Sequence, residues 1–205
     1  MNKLIAIDIV IIPPQEIYDW AVSINHELWN KWHEGYKFDE THLPHISLLM
    51  LFVDRDDLTS INGLINKIAD KYSPIPLIAS LMSGEVKYGE NESFEYTALS
   101  LQPRDLLLKL HRTLLNELRD YNKFDGTDDS FFRNSNEKIR EGSVNYTKEF
   151  LINHSDKNYD PHITIFAGKG TDKKEKKDFI ADRLTICHLG DYNSCRKILA
   201  EWRLK

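Results

Sequence analysis

The chain contains the same short pattern twice, as PHISL at residues 44–48 and as PHITI at residues 161–165. In both copies a proline precedes a histidine, and one isoleucine separates that histidine from a hydroxyl residue. The flanking residues are mostly aliphatic, which predicts a strand in each place. Alternate residues of a strand point to opposite faces. Each strand is therefore expected to bury its aliphatic side chains and to present an imidazole and a hydroxyl on the other face.

His45 and Ser47 are expected to share one strand face, as are His162 and Thr164. If both faces line one cleft, the site holds two imidazoles and two hydroxyls. An ordinary histidine pKa of ~6.5 lets one imidazole remove a proton while the other delivers one to a leaving oxygen. The hydroxyls can donate hydrogen bonds to phosphodiester oxygens. One copy of the pattern is common by chance, but two copies predict a phosphodiester site that needs no metal.

PHISLLMLF and PHITIFAG resemble the paired signatures of the two-histidine (2H) phosphoesterase superfamily, which includes bacterial 2′-5′ RNA ligase-like proteins and cyclic phosphodiesterases. The order of predicted elements resembles that family too, so the resemblance covers most of the chain. It implies a bilobal α/β (α+β) fold, with two pseudo-symmetric lobes of mainly antiparallel sheet, outer helices and a central cleft. It also implies that His45 and His162 are the acid/base pair and that Ser47 and Thr164 bind phosphate. Which histidine is the acid is left open.

Hydrophobic periodicity and Pro or Gly boundaries predict an alternating series of strands and helices. In chain order we expect a strand at 4–12, a helix at 15–33, a strand at 43–53, a helix at 54–72, strands at 74–88 and 93–103 joined by a turn around 89–91, a helix at 103–121, a strand at 161–167, a helix, and a closing hairpin at 183–204. The charged run 172–177 is expected to be a solvated helix start or a loop, with a phosphate-binding patch as the alternative. We expect one domain, 1–205.

Residues 123–158 are rich in Asp, Asn, Ser, Gly and Lys, and only 144–152 suggest a short helix. Connections of this length in compact domains are mobile or functional more often than not. We therefore expect this polar segment to frame the cleft and to influence substrate choice.

The balance of 27 basic against 32 acidic residues gives a net charge of −5. An extended nucleic-acid surface requires a large basic footprint, so the expected partner is a small nucleotide or a short oligonucleotide. The sequence has no glycine-rich phosphate loop and no metal-ligand spacing, so no cofactor and no metal are expected. It also lacks a stretch of ~20 apolar residues, so we expect a soluble, cytoplasmic protein with no membrane contact. We also expect a monomer.

Three further residues and the two cysteines have two interpretations each. Phe166 and Tyr96 could stack on a base and bind substrate, although aromatic residues in strands more often pack in the core. Asp8 could orient a histidine, but we expect it to reach solvent at a strand edge. Cys187 and Cys195 fit two reduced thiols, with an oxidised pair as the alternative if a hairpin brings them together.

The expected function is hydrolysis of a nucleotide or short oligonucleotide with a 2′-linked phosphate by a metal-independent phosphodiesterase. The substrates considered are a 2′,3′-cyclic phosphate, a 2′-5′ linkage and a cyclic nucleotide. The alternatives are a 2′-5′ RNA ligase acting on RNA ends, which runs the reverse chemistry, and a non-catalytic nucleotide-binding module.

Overall fold

The computed structural model describes residues 3–33, 35–88, 92–168, 170–171 and 173–205. Within them lie β1 (Leu4–Ile12), α1 (Gln15–Trp32), β2 (Ile46–Asp54), α2 (Leu58–Ala69), β3 (Ile75–Tyr88), β4 (Glu92–Gln102), α3 (Arg104–Leu118), α4 (Glu141–Asn153), β5 (His162–Ala167), β6 (Lys176–Ala181), β7 (Arg183–Leu189) and β8 (Cys195–Arg203). The turn predicted around 89–91 lies outside the described residues.

The strands form two antiparallel sheets of four strands each, which we call the first lobe, β2-β1-β7-β8, and the second lobe, β5-β4-β3-β6. The predicted bilobal α+β architecture is therefore confirmed. Each motif strand, β2 or β5, is the edge strand of its sheet. The main-chain groups on the outer side of an edge strand need partners from outside the sheet.

Some of those partners come from helices that cross between the lobes, such as His111 of α3 and Asn25 of α1. α1 follows β1 of the first lobe but packs against β5 of the second. α3 follows β4 of the second lobe but packs against β2 of the first, where α4 also packs. Both helices present an apolar stripe at helical spacing, which includes Ile17 and Leu28 in α1 and Leu107 and Leu114 in α3.

The segment 123–158 is more regular than its composition predicts. It contains the 13-residue helix α4 and short 3-10 turns at Asp128–Ser130 and Asp156–Asn158. Val144 and Phe150 are the buried apolar residues of α4, and Ser143 and Thr147 are buried beside them. This mixed polar and apolar face explains why periodicity predicted only part of the helix.

Two predictions about the chain after β5 and about the cysteines are wrong. The charged run leads into the strand β6 rather than a helix, because β6 pairs with β3 and buries only Phe179 and Ala181. The alternation of buried and exposed residues covers only residues 179–181, and the charged residues before it hide the pattern of a strand. Cys187 and Cys195 form a disulfide across the β7–β8 hairpin, with their Cα atoms 5.3 Å apart.

Helices within the described ranges are too short or too polar to cross a membrane.

Candidate active site

In the first lobe a β-bulge follows the motif hydroxyl directly. Ser47 pairs with Val10 of β1, whereas the next pair along the ladder is Leu49 with Ile9. Leu48 is therefore the extra residue of a bulge between them. Because a bulge bends its strand, it sets the direction in which the motif side chains point.

The second lobe repeats this bulge at the same place in its own motif. Thr164 pairs with Ala98 of β4, and the next pair is Phe166 with Thr97. Ile165 is the extra residue and corresponds to Leu48. In both motifs the histidine is followed by an aliphatic residue, a hydroxyl residue and then the extra residue of a bulge. The hydrophobic periodicity of the sequence does not reveal this local symmetry.

The two motif histidines are held in the same way. Nδ1 of His45 lies 2.7 Å from the carbonyl oxygen of Leu43, and Nδ1 of His162 lies 2.8 Å from that of Asp160. Each bond reaches back two residues, across the motif proline. A neutral imidazole that donates through Nδ1 carries its lone pair on Nε2. Both histidines therefore keep Nε2 as the nitrogen that accepts a proton.

Burial makes His45 a neutral imidazole. Its side chain is 11% exposed. Burial lowers the pKa of His45 to about 4, the carbonyl of Leu43 opposes this shift, and the nearby charge of His162 adds to it. The structure thus brings the two predicted histidines within electrostatic range of each other. At neutral pH His45 is in the form that accepts a proton.

Two buried rings hold the outer edge of β2. Tyr159 donates its hydroxyl to the carbonyl of Ser47 over 3.0 Å, and its ring stacks on His111 with centroids 4.2 Å apart. Nδ1 of His111 donates to the carbonyl of Leu48 over 2.6 Å, while Nε2 accepts the backbone N–H of Asp156 over 2.8 Å. The motif carbonyl and the bulge carbonyl are thereby both satisfied.

Asn25 of α1 satisfies the bulge carbonyl of β5, as His111 does for β2. Its amide nitrogen donates to the carbonyl of Ile165 over 2.8 Å and to that of Tyr36 over 3.1 Å, and its oxygen accepts the N–H of Phe38. Asn25 and His111 are fully buried. Sequence reasoning missed both of them. The available signal was a polar residue within the apolar stripe of an amphipathic helix.

The bulge separates the two aromatic residues that the sequence offered as substrate contacts. Phe166 pairs with Thr97, on the face opposite Thr164, and is 2% exposed within the core. The strict alternation assumed from sequence fails at Ile165, so Phe166 does not reach the cleft. Tyr96 shares the face of Ala98 and is half-buried. Its ring lies over Gly84, where an added Cβ would come within 2.9 Å.

Asp8 does not reach solvent, so that prediction is wrong. β1 is an interior strand and Asp8 is fully buried, with Oδ2 3.9 Å from Nε2 of His45. Burial raises the pKa of Asp8 to about 7, and the hydroxyl of Ser47 and the backbone amides of Leu49 and Leu48 oppose this shift in part.

The described residues include no group of three or more His, Cys, Asp or Glu placed to hold a metal ion.

Two solved structures are similar to the chain. TT0787 of Thermus thermophilus has a TM-score of 0.60 and 14% identity, with 98% of each chain covered, a likeness that shows the fold. E. coli LigT complexed with 3′-AMP has a TM-score of 0.47 and 15% identity over 98% of this chain and 99% of its own. No curated protein matches the chain. The family model for the 2′-5′ RNA ligase superfamily matches residues 20–185, and the chain belongs to that superfamily of 2H phosphoesterases.

Proposed function

We propose that the protein is a metal-independent phosphodiesterase that acts on a nucleotide or short oligonucleotide with a 2′-linked phosphate. Candidate substrates are a 2′,3′-cyclic phosphate, a 2′-5′ linkage and a cyclic nucleotide. The observation that carries the proposal is the identical tethering of His45 and His162 through Nδ1, which leaves Nε2 of each for proton transfer. We also propose that it acts as a monomer, since one chain supplies both histidines.

The different surroundings of the histidines support a division of labour. Burial keeps His45 neutral, so we assign it the role of general base. Nε2 of His45 takes a proton from the attacking water, whose oxygen bonds to phosphorus. His162, as imidazolium, gives its proton to the departing ester oxygen. We assign the hydroxyls of Ser47 and Thr164 to the non-bridging phosphate oxygens, where negative charge grows.

Two features support a small substrate. Tyr96 lies on the face that carries Thr164, where its half-buried ring could stack on a base. The net charge of −5 disfavours a long nucleic-acid partner. We propose that segment 123–158 frames the site, which its contacts support: α4 packs on β2, and the backbone of Asp156 holds His111.

The test is hydrolysis of 2′,3′-cyclic mononucleotides, 2′-5′ oligoadenylates and cyclic dinucleotides in the presence of EDTA, with product analysis. We expect turnover by the wild type and a loss of ~10²–10⁴ in kcat for His45→Ala and His162→Ala. His33→Ala, which changes an exposed histidine after α1, is the matched control. Full activity in either motif variant, or loss of wild-type activity in EDTA, would refute the proposal.

The same assay separates the alternatives. An RNA end carrying a 2′,3′-cyclic phosphate, offered together with an acceptor end, would be joined by a 2′-5′ RNA ligase, because ligation is the reverse reaction in the same site. Tight binding of a nucleotide with no turnover over hours would identify a non-catalytic binding module.

A further inference from the structure

The carboxyl of Asp8 is unusual for a residue in the middle of a sheet. It is fully buried, and within the described ranges neither oxygen completes a hydrogen bond. The hydroxyl of Ser47 and the backbone amides of Leu48 and Leu49 offset the cost of burying this carboxyl only in part. A buried carboxyl that is not fully compensated costs folding free energy, so such a group persists where something else requires it. The proposed mechanism above does not use it.

The groups that face Asp8 come from three parts of the fold. From the β2 side, the hydroxyl of Ser47 acts on it and Nε2 of His45 lies 3.9 Å from Oδ2. Burial raises the pKa of the phenol of Tyr159, which lies in the segment before β5, and the charge of Asp8 adds to this rise. From β7, the cross-strand neighbour is Cys187, which is held in the disulfide and does not titrate. His45 is thus the base placed next to Asp8, and His162 acts on His45 in turn.

The second lobe has no carboxyl at the equivalent place. Asp8 pairs with Met50, and Tyr96 pairs with Ala167, at matching positions relative to the two bulges. The repeated site is therefore asymmetric at this position, where one lobe carries a carboxyl and the other a phenol.

We propose that Asp8 is the positioning residue of His45, and that its carboxylate stabilises the proton that Nε2 of His45 removes from the attacking oxygen. The inference rests on the proposed function. In this step the O–H bond of the nucleophile breaks, its electron pair forms the bond to phosphorus, and an Nε2–H bond forms. The resulting imidazolium lies within ion-pair distance of the carboxylate.

This role predicts a specific pH dependence. Because burial raises the pKa of Asp8 to about 7, the carboxyl becomes an effective counter-charge only as the pH rises through that value. We expect the ratio of the wild-type kcat to the Asp8→Asn kcat to rise about tenfold between pH 6 and pH 8, because the protonation of the general acid affects both proteins alike and cancels in this ratio.

The first experiment compares pH–rate profiles. Asp8→Asn should lower kcat about 10- to 100-fold at pH 8 and about tenfold less than that at pH 6, with KM changed less than about twofold, because the amide cannot ionise. Thr185→Val is the matched control, since Thr185 is a fully buried polar residue of the same sheet. Its profile should follow the wild type. Coinciding profiles for Asp8→Asn and the wild type would overturn the inference.

The second experiment needs no turnover. An NMR titration of the His45 ring in the wild type should show a step near pH 7 from the ionisation of Asp8, and that step should be absent in Asp8→Asn. If the step behaves so but no nucleotide is hydrolysed, the function fails and the pairing of Asp8 with His45 stands. Absence of the step in the wild type overturns the pairing, whether or not the variant folds.

Discussion

Tyr159 donates a hydrogen bond to the carbonyl of Ser47, and so ties the segment before the second motif to the strand of the first. Tyr159→Phe removes this bond and leaves the carbonyl unpaired in a half-buried place. We expect a loss of about 1–2 kcal/mol in the free energy of unfolding, measured by urea denaturation. Tyr121→Phe, at a half-buried tyrosine outside the motifs, is the control. Equal stability of Tyr159→Phe and wild type would contradict the assigned bond.

Phe166 and Tyr96 should respond differently to the same substitution. Phe166→Leu creates a small void in the core and should cost about 1–3 kcal/mol of stability while KM stays within about twofold. Tyr96→Leu should raise KM about tenfold, because base stacking contributes ~1–3 kcal/mol. A raised KM in Phe166→Leu with unchanged stability would reverse the assignment of the two faces.

The raised pKa of Asp8 makes stability depend on pH. The folded state favours the protonated carboxyl. The free energy of unfolding is therefore highest below 3.8, the ordinary pKa of an aspartate, and falls as the pH rises from 3.8 to about 7. Above pH 7 the free-energy cost of the ionised carboxylate no longer changes with pH. Compared with Asp8→Asn, the wild type should lose on the order of 2–4 kcal/mol between pH 4 and pH 8, measured by denaturant unfolding. A constant difference between the two proteins would show that Asp8 titrates normally.

The disulfide supports the first motif through two hydrogen bonds. The carbonyl of Cys195 accepts the N–H of Leu43 over 3.1 Å, and the carbonyl of Leu43 accepts Nδ1–H of His45. Closing an eight-residue separation should contribute about 2 kcal/mol. Dithiothreitol should therefore lower the Tm of the wild type but not of the double variant Cys187→Ser/Cys195→Ser. Two free thiols in the protein before reduction would contradict the bond, and a cytoplasmic location, which stays a prediction, favours that outcome.

Much of the fold was predictable, because long alternating or 3.6-residue patterns in β1, α1, β3 and α3 report burial directly. The same kind of pattern places the two motifs at or beside the strands β2 and β5, and the roles of their histidines and hydroxyls stay a prediction. Phe166 was assigned to the cleft face, but one extra residue, Ile165, changes the register and turns it to the opposite face. No pattern of side chains in the sequence indicates such a bulge. Asp8 was misplaced because its neighbours in the sheet, β2 and β7, come from distant parts of the chain.

The second lobe is an insertion into the first, since its strands all lie between residues 75 and 181 and the first sheet is built from residues 4–54 and 183–203. Deleting the inserted residues would leave a four-stranded sheet with complete pairing. The same cut would remove α3, α4 and His111, so the outer carbonyls of β2 would lose their partners. The remaining sheet would expose a long apolar edge of the kind that pairs with other chains. Cutting out the inserted lobe should therefore give an aggregating fragment rather than a smaller working domain.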